Sequence, residues 1–431
     1  MRLFGLLMSL ASTLLVGCLS TRSSDVAPPP QLERVSTAVP WPRGLVLAEG
    51  KVVALARGRH RSAGGPDPTL EDHAGTLFVV DPEISEPVVR GGPVGRAVRE
   101  NGRPWIAPTE PPFRLWRRSA DTLADEVTDR PYCTLAWDPR SRNFFICGYS
   151  GIDVPGRARF RKNASDSVLR YDLRAQRWFV VESHDPSVVD SHSLTYTVPN
   201  TFYPHHDPRA EDPPHGWLNG PDGAVVAGRF LYVVAKDNSV MVQYDLQGVQ
   251  QDSGAGAPPS CLVLGDRVII ADGEHREAQR VEGHSALEVW GGYLYVGFRT
   301  TSDIVRFRLL ASGDLAEPLV GERVAQFEPY DPATGKSADL MDMAFNSRGE
   351  LFVSIARHGQ IWNIGRPDPD RVFRPGSGTP YVDLQGLTDN PDAKSGNIEF
   401  DREDRLYICC GNDDVGPDAR IAGVIYRATP R

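Results

Sequence analysis

The chain has 431 residues with 41 Gly, 36 Pro, only 5 Met and a formal net charge of −9. That charge argues against nucleic acid as a partner, because phosphate backbones demand a basic footprint, and the one dense basic run, residues 157–162, reads as a solvated loop. No long stretch carries apolar residues at helical spacing, so helical bundles are excluded and the chain reads as strands separated by turns.

Residues 1–17 form a short basic end followed by an apolar run too short to span a bilayer, which is the pattern of an export signal. Leu15-Val16-Gly17-Cys18 resembles the bacterial lipobox, and the resemblance implies cleavage before Cys18 and acylation of that cysteine. Leu19 follows rather than Asp, which in a Gram-negative host favours the outer membrane. Residues 18–40 are rich in Ser, Pro and charge, with Pro28-Pro29-Pro30 extended, and read as a lipidated cysteine plus tether. The expected partners are therefore the membrane, through the lipid, and a small-molecule or protein ligand in the cell envelope.

From residue 41 to 431 a unit of up to four short strands recurs. The first unit is predicted at 44–50, 51–57 and 76–81, with 87–90 as a fourth strand, and the second at 133–137, 143–147, 167–172 and 177–182. The third follows a long Pro-rich insert at 223–227, 230–235 and 239–246. A reduced fourth unit has only 261–264 and 267–271, the fifth 286–290, 293–298 and 303–309, the sixth 341–345, 351–355, 360–364 and 380–384, and the seventh 397–400, 405–410 and 422–428. Such units cannot each bury both faces alone, and radial stacking solves the problem, so the fold class is an all-β β-propeller. The count is seven blades, with six plus an inserted hairpin as the alternative. The seventh lacks a fourth strand, which residues 33–40 can supply, closing the ring by pairing the N- and C-terminal strands.

Leu231-Tyr-Val-Val-Ala-Lys-Asp-Asn-Ser-Val-Met-Val and Leu294-Tyr-Val-Gly-Phe-Arg-Thr-Thr-Ser-Asp-Ile-Val resemble YVTN and NHL propeller repeats, while Met341-Asp-Met-Ala-Phe and Asn397-Ile-Glu-Phe-Asp resemble strands of the gluconolactonase-like (SMP-30-like) propellers. The second resemblance implies a divalent cation in the channel mouth that polarises a lactone carbonyl. Asn219, Asp342 and Asn397 match its Asn and Asp ligands in kind and place. The first blade departs from the pattern, since Trp41-Pro42-Arg43-Gly44 puts Arg where an acidic ligand belongs.

Three other constellations carry chemistry. His205, His206 and His215 lie in the Pro-rich insert, and imidazoles in such number suit Zn or Cu, although adjacent side chains of an extended loop point apart. Asp272 and His275, with Arg357 and His358 two units on, suit an acid/base or anion-binding cluster, the kind of His and Arg pair that a quinoprotein dehydrogenase would need beside its cofactor. Ungapped pairing of the hairpin at 133–147 sets Cys133 opposite Cys147, and export permits a disulfide there. Cys409 and Cys410 read either as a vicinal disulfide or as two small side chains facing opposite sides of one strand, and Cys261 is left over. Three functions follow as expectations: a lipid-anchored binding propeller, a calcium- or zinc-dependent lactone or ester hydrolase, and a quinoprotein dehydrogenase.

Overall fold

A computed structural model describes residues 30–36, 39, 42–56, 77–80, 99–100, 103–105, 132–148, 167–183, 221–236, 239–249, 260–272, 275–328, 338–376, 378–388, 393–412 and 424–430. The described strands build a six-bladed β-propeller. Blade 1 has Pro42–Ala48, Lys51–Ala56 and Leu77–Val80. Blade 2 has Tyr132–Asp138, Asn143–Gly148, Ser167–Asp172 and Arg177–Ser183. Blade 3 has Pro221–Ala227, Phe230–Ala235, Val240–Asp245 and Ser260–Leu264. Blade 4 has His284–Trp290, Tyr293–Phe298, Asp303–Arg308 and Gly321–Gln326. Blade 5 has Leu340–Phe345, Leu351–Ile355, Gln360–Asn363 and Val382–Asp383. Blade 6 has Ala393–Phe400, Leu406–Asn412 and Val424–Thr429, and its outer strand is the N-terminal Gln31–Ser36. The first strands touch one another in turn around the ring, and blade 6 meets blade 1.

The blade count corrects the expectation of seven. Ser260–Leu264 pairs with Val240–Asp245 and is the outer strand of blade 3. Arg267–Asp272 and His275–Arg280 form a hairpin added to the rim of blade 4, held by a short parallel pairing of Ile270 and Ala271 with Gly321 and Glu322. The strand that makes blade 4 complete, Gly-Glu-Arg-Val-Ala-Gln, alternates too many charges to stand out in the sequence.

Packing makes six the natural number. The described core divides into six apolar clusters, each filling the gap between two neighbouring blades. Second strands serve two gaps at once: Leu231 and Val233 face blade 2 while Tyr232 and Val234 face blade 4. These strands therefore read as unbroken apolar runs, because both faces are buried. Ring closure is direct, with Gln31 opposite Thr429 and Ser36 opposite Ile425, and Val35 enters the cluster between blades 6 and 1.

Local chemistry sets the turns between first and second strands. Asp138 accepts the Arg140 N–H at 3.1 Å and the Ser141 hydroxyl at 2.6 Å, and Asp401 accepts the N–H groups of Glu403 and Arg405 at 3.0 and 2.9 Å. Short polar side chains that bond the backbone two or more residues ahead fold the chain back. In blade 4 the same turn is Gly291-Gly292, both at positive φ (58° and 80°), which suits a two-residue hairpin.

Candidate functional site: the central channel

All six first strands carry a register break at their N-terminal end, after Pro42, Tyr132, Pro221, His284, Leu340 and Ser395. A bulge re-aims the residues beside it, and six in a ring shape the mouth of the channel. One of them changes the register on which the predicted disulfide was built, and the Cys133 side chain lies outside the described residues. The break between Tyr132 and Thr134 sets Thr134, not Cys133, opposite Cys147, and Cys147 stands as a buried thiol. The other bulges place Arg43, Asp222, Ser285 and Met341 around the mouth.

These breaks also lock neighbouring blades together. The Ser285 hydroxyl donates to the Leu340 carbonyl of blade 5 at 2.8 Å, and the Ser354 hydroxyl of blade 5 donates to the Gly396 carbonyl of blade 6 at 2.7 Å. On the same face Arg299 pairs with Asp339, joining blades 4 and 5. Asp222 is buried beside Lys236 at 3.4 Å.

Below the mouth lies a cavity of about 180 Å³ with two unlike walls. Blades 1 to 3 line it with Leu45, Leu47, Trp137, Val225 and Val226, whereas blades 4 to 6 bring Glu288, Asp342, Asn397 and Glu399. Asp342 accepts the Ile398 N–H at 2.9 Å across the gap between blades 5 and 6, and the Asn397 side chain bonds to it as well. Burial pushes the Asp342 carboxyl up to about 7 even though these donors and the positive charge of Arg43 pull it down. Burial, then the charge of Asp342, pushes Glu399 up to about 8. Glu288 is raised well above the usual carboxylate range by burial and then by Glu399. The acidic wall therefore holds protons near neutral pH, since ionising several carboxyls together in a low-dielectric space is costly.

Of the sequence-predicted cation ligands, the fold brings Asp342 and Asn397 side by side, and Asn219 lies outside the described residues. Arg43 does occupy the mouth, with its guanidinium 3.2 Å from the Met341 sulfur and its charge acting on Asp342. Asp342 already accepts the Ile398 N–H and bonds Asn397, with the charge of Arg43 acting on it. Among the described residues no three His, Cys, Asp or Glu side chains converge as a metal site. His205, His206, His215 and Cys18 also lie outside the described residues.

The proposed acid/base cluster is divided. Asp272 pairs with His275 at the tip of the rim hairpin on blade 4, so neither follows the second strand of a blade as its place in the sequence suggested. Arg357 and His358 are exposed on the turn Ala356–His358, which does follow the second strand of blade 5. Cys409 and Cys410 are buried thiols on opposite faces of their strand, Cys409 toward blade 1 and Cys410 toward blade 5. Burial raises both, Cys410 to about 12, so neither is a ready nucleophile.

Glu288 and Glu399 were not singled out by sequence reasoning. Their signal is a Glu flanked by apolar residues on a first strand, Leu287-Glu-Val289 and Ile398-Glu-Phe400. His284, at the start of the same strand as Glu288, is buried edge-on to Phe298 with ring centroids 4.7 Å apart, and burial lowers it to about 3, leaving it neutral.

No family profile matches the chain, and no curated protein matches it. Among solved structures the chain is similar to apo soluble aldose sugar dehydrogenase from Escherichia coli, at 11% identity and TM-score 0.45, covering 93% of this chain and 99% of that one. It is similar to PQQ-bound aldose sugar dehydrogenase from Streptomyces coelicolor at 11% identity and TM-score 0.42, over 93% and 99% of the two chains. A structural genomics protein from Bacteroides thetaiotaomicron is similar at 10% identity and TM-score 0.39, over 94% of this chain and 73% of that one. At such identities and TM-scores the likeness carries no argument about function.

Proposed function

We propose that this chain is a lipid-anchored, extracytoplasmic binding propeller whose central channel takes a small ligand with an apolar body and a basic or hydroxyl-bearing end. The observation that carries this reading is the division of the cavity into an apolar wall bearing Trp137 and a carboxyl wall formed by Glu288, Asp342 and Glu399. Apolar pockets with a few convergent polar groups are the ordinary form of small-molecule sites. An amine arriving there accepts a proton from, or pairs with, a carboxyl that has no cationic partner among the described residues, whereas a hydroxyl receives a hydrogen bond from a protonated one.

The test is calorimetric titration with short alkylammonium ions and with polyols of similar length, repeated on Glu288→Gln and Glu399→Gln. Saturable binding that weakens about tenfold or more in either variant supports the reading, since one charge-assisted bond is worth about 1.5–3 kcal/mol. Absence of binding across both panels refutes it. Elemental analysis of the same preparation serves the hydrolase alternative: a stoichiometric calcium or zinc would make lactone and ester hydrolysis the next assay.

A further inference from the structure

We infer that the face bearing the first-to-second-strand turns lies against the bilayer, and that the channel mouth opens away from it. The inference rests on the reading of Cys18 as the lipid-bearing residue.

The direction of one strand carries the argument. In blade 6 the turn at residues 401–405 leads into Leu406, which pairs with Ala428, and Ala428 pairs with Leu32. The start of Gln31–Ser36 is thus level with that turn, and the strand then runs toward the mouth, where Cys410 pairs with Val424. The chain therefore enters Gln31–Ser36 from the turn face.

Only twelve residues, 19–30, separate Cys18 from this strand, and the last three are proline. Twelve residues reach at most about 40 Å even when fully extended. Turning the mouth to the membrane would spend about half of that reach on passing back along a six-residue strand about 20 Å long.

A second observation lies on the same face. Trp290 and Leu310 are 38% and 52% exposed and belong to the turn side of blade 4, where the Leu309 N–H donates to the Gly292 carbonyl at 2.8 Å. The indole of Trp290 is held flat against Phe345, with ring centroids 5.2 Å apart and planes 16° from parallel. A fixed, half-exposed Trp and an exposed Leu on one face suit the boundary between headgroups and acyl chains, where amphipathic rings collect. The occupant of this face is therefore the bilayer to which the lipid anchors the chain, and the channel is supplied from the aqueous side.

The experiment uses the full-length lipidated protein on vesicles of phosphatidylethanolamine and phosphatidylglycerol with an acceptor dye on the headgroups. A donor dye is attached through p-azidophenylalanine placed at Arg402 on the turn face or at His358 on the mouth face, both exposed positions. Energy transfer at least about twofold greater from position 402 than from 358 is expected, because the two faces are about one strand length apart. Equal or reversed transfer from protein that co-floats with the vesicles overturns the orientation and leaves the anchor standing. Co-flotation that is unchanged by Cys18→Ser overturns the anchor reading, and the orientation with it. Leu310→Ser, which leaves the Trp290–Phe345 stack in place, should bring the two transfer values closer together; no change would remove the apolar contact from the inference.

Discussion

Replacing Asp342 by Asn removes a proton that the native channel holds and the unfolded chain does not. In the folded protein burial pushes this carboxyl up to about 7. In the unfolded chain it titrates near about 3.9, so the full difference of about three units corresponds to about 4 kcal/mol. The sign follows from the raised folded value. Below about pH 4 both states are protonated and the group contributes no pH dependence. As pH rises toward about 7 the unfolded state releases its proton while the native state keeps it, and stability falls; above that it levels off. Asn cannot ionise, yet its carbonyl can still accept the Ile398 N–H that Asp342 accepts at 2.9 Å. Denaturant unfolding of wild type and Asp342→Asn at about pH 5 and about pH 8 should therefore show the variant gaining about 2–3 kcal/mol on wild type over that interval. Parallel pH dependences in the two proteins would refute the claim that Asp342 is a buried proton holder.

Gly223→Ala should destabilise by about 1–3 kcal/mol, as overpacking does, because an added Cβ would lie 2.7 Å from the Ser285 carbonyl of the next blade; a midpoint equal to wild type in urea would count against this contact. Cys409 and Cys410 should resist maleimide in the native protein and react after denaturation, read by mass mapping of their peptide, and native labelling would show that blade 6 opens. A chain beginning at residue 37 lacks the outer strand of blade 6 and the burial of Val35, worth alone about 1.5–3 kcal/mol, so its unfolding midpoint should drop; an unchanged midpoint would mean that the ring does not close through this strand. Ser354→Ala should cost about 1–3 kcal/mol by leaving the buried Gly396 carbonyl without its 2.7 Å donor, checked by the same unfolding curve.

The propeller was legible because its second strands are buried on both faces. Phe230–Ala235 and Tyr293–Phe298 are apolar throughout, Leu351–Ile355 is so but for Ser354, and each is bounded by a turn written in Gly or short polar residues. The closing strand was legible too, although it begins at Gln31, inside the stretch read as tether, rather than at residue 33. Blade number was not legible. Outer strands such as Gly321–Gln326 are half solvated and their charges hide the alternation, so Ser260–Leu264 and the rim hairpin were read together as a unit of their own. In the channel, Asp342, Asn397 and the intrusion of Arg43 followed from blade position, whereas Glu288 and Glu399 required knowing which first-strand residues face inward.

What the sequence by itself determined is the fold class, its closure through both ends of the chain and the residues that cap its turns, because these depend on patterns a few residues long. Only the tertiary structure decided that there are six blades, that Cys133 slips out of register with Cys147, and that carboxyls from blades 4, 5 and 6 share one cavity. Those outcomes depend on how far each strand is from the next around a ring, on one extra residue at a bulge, and on the burial that makes separate acids influence one another. No local pattern encodes any of these quantities.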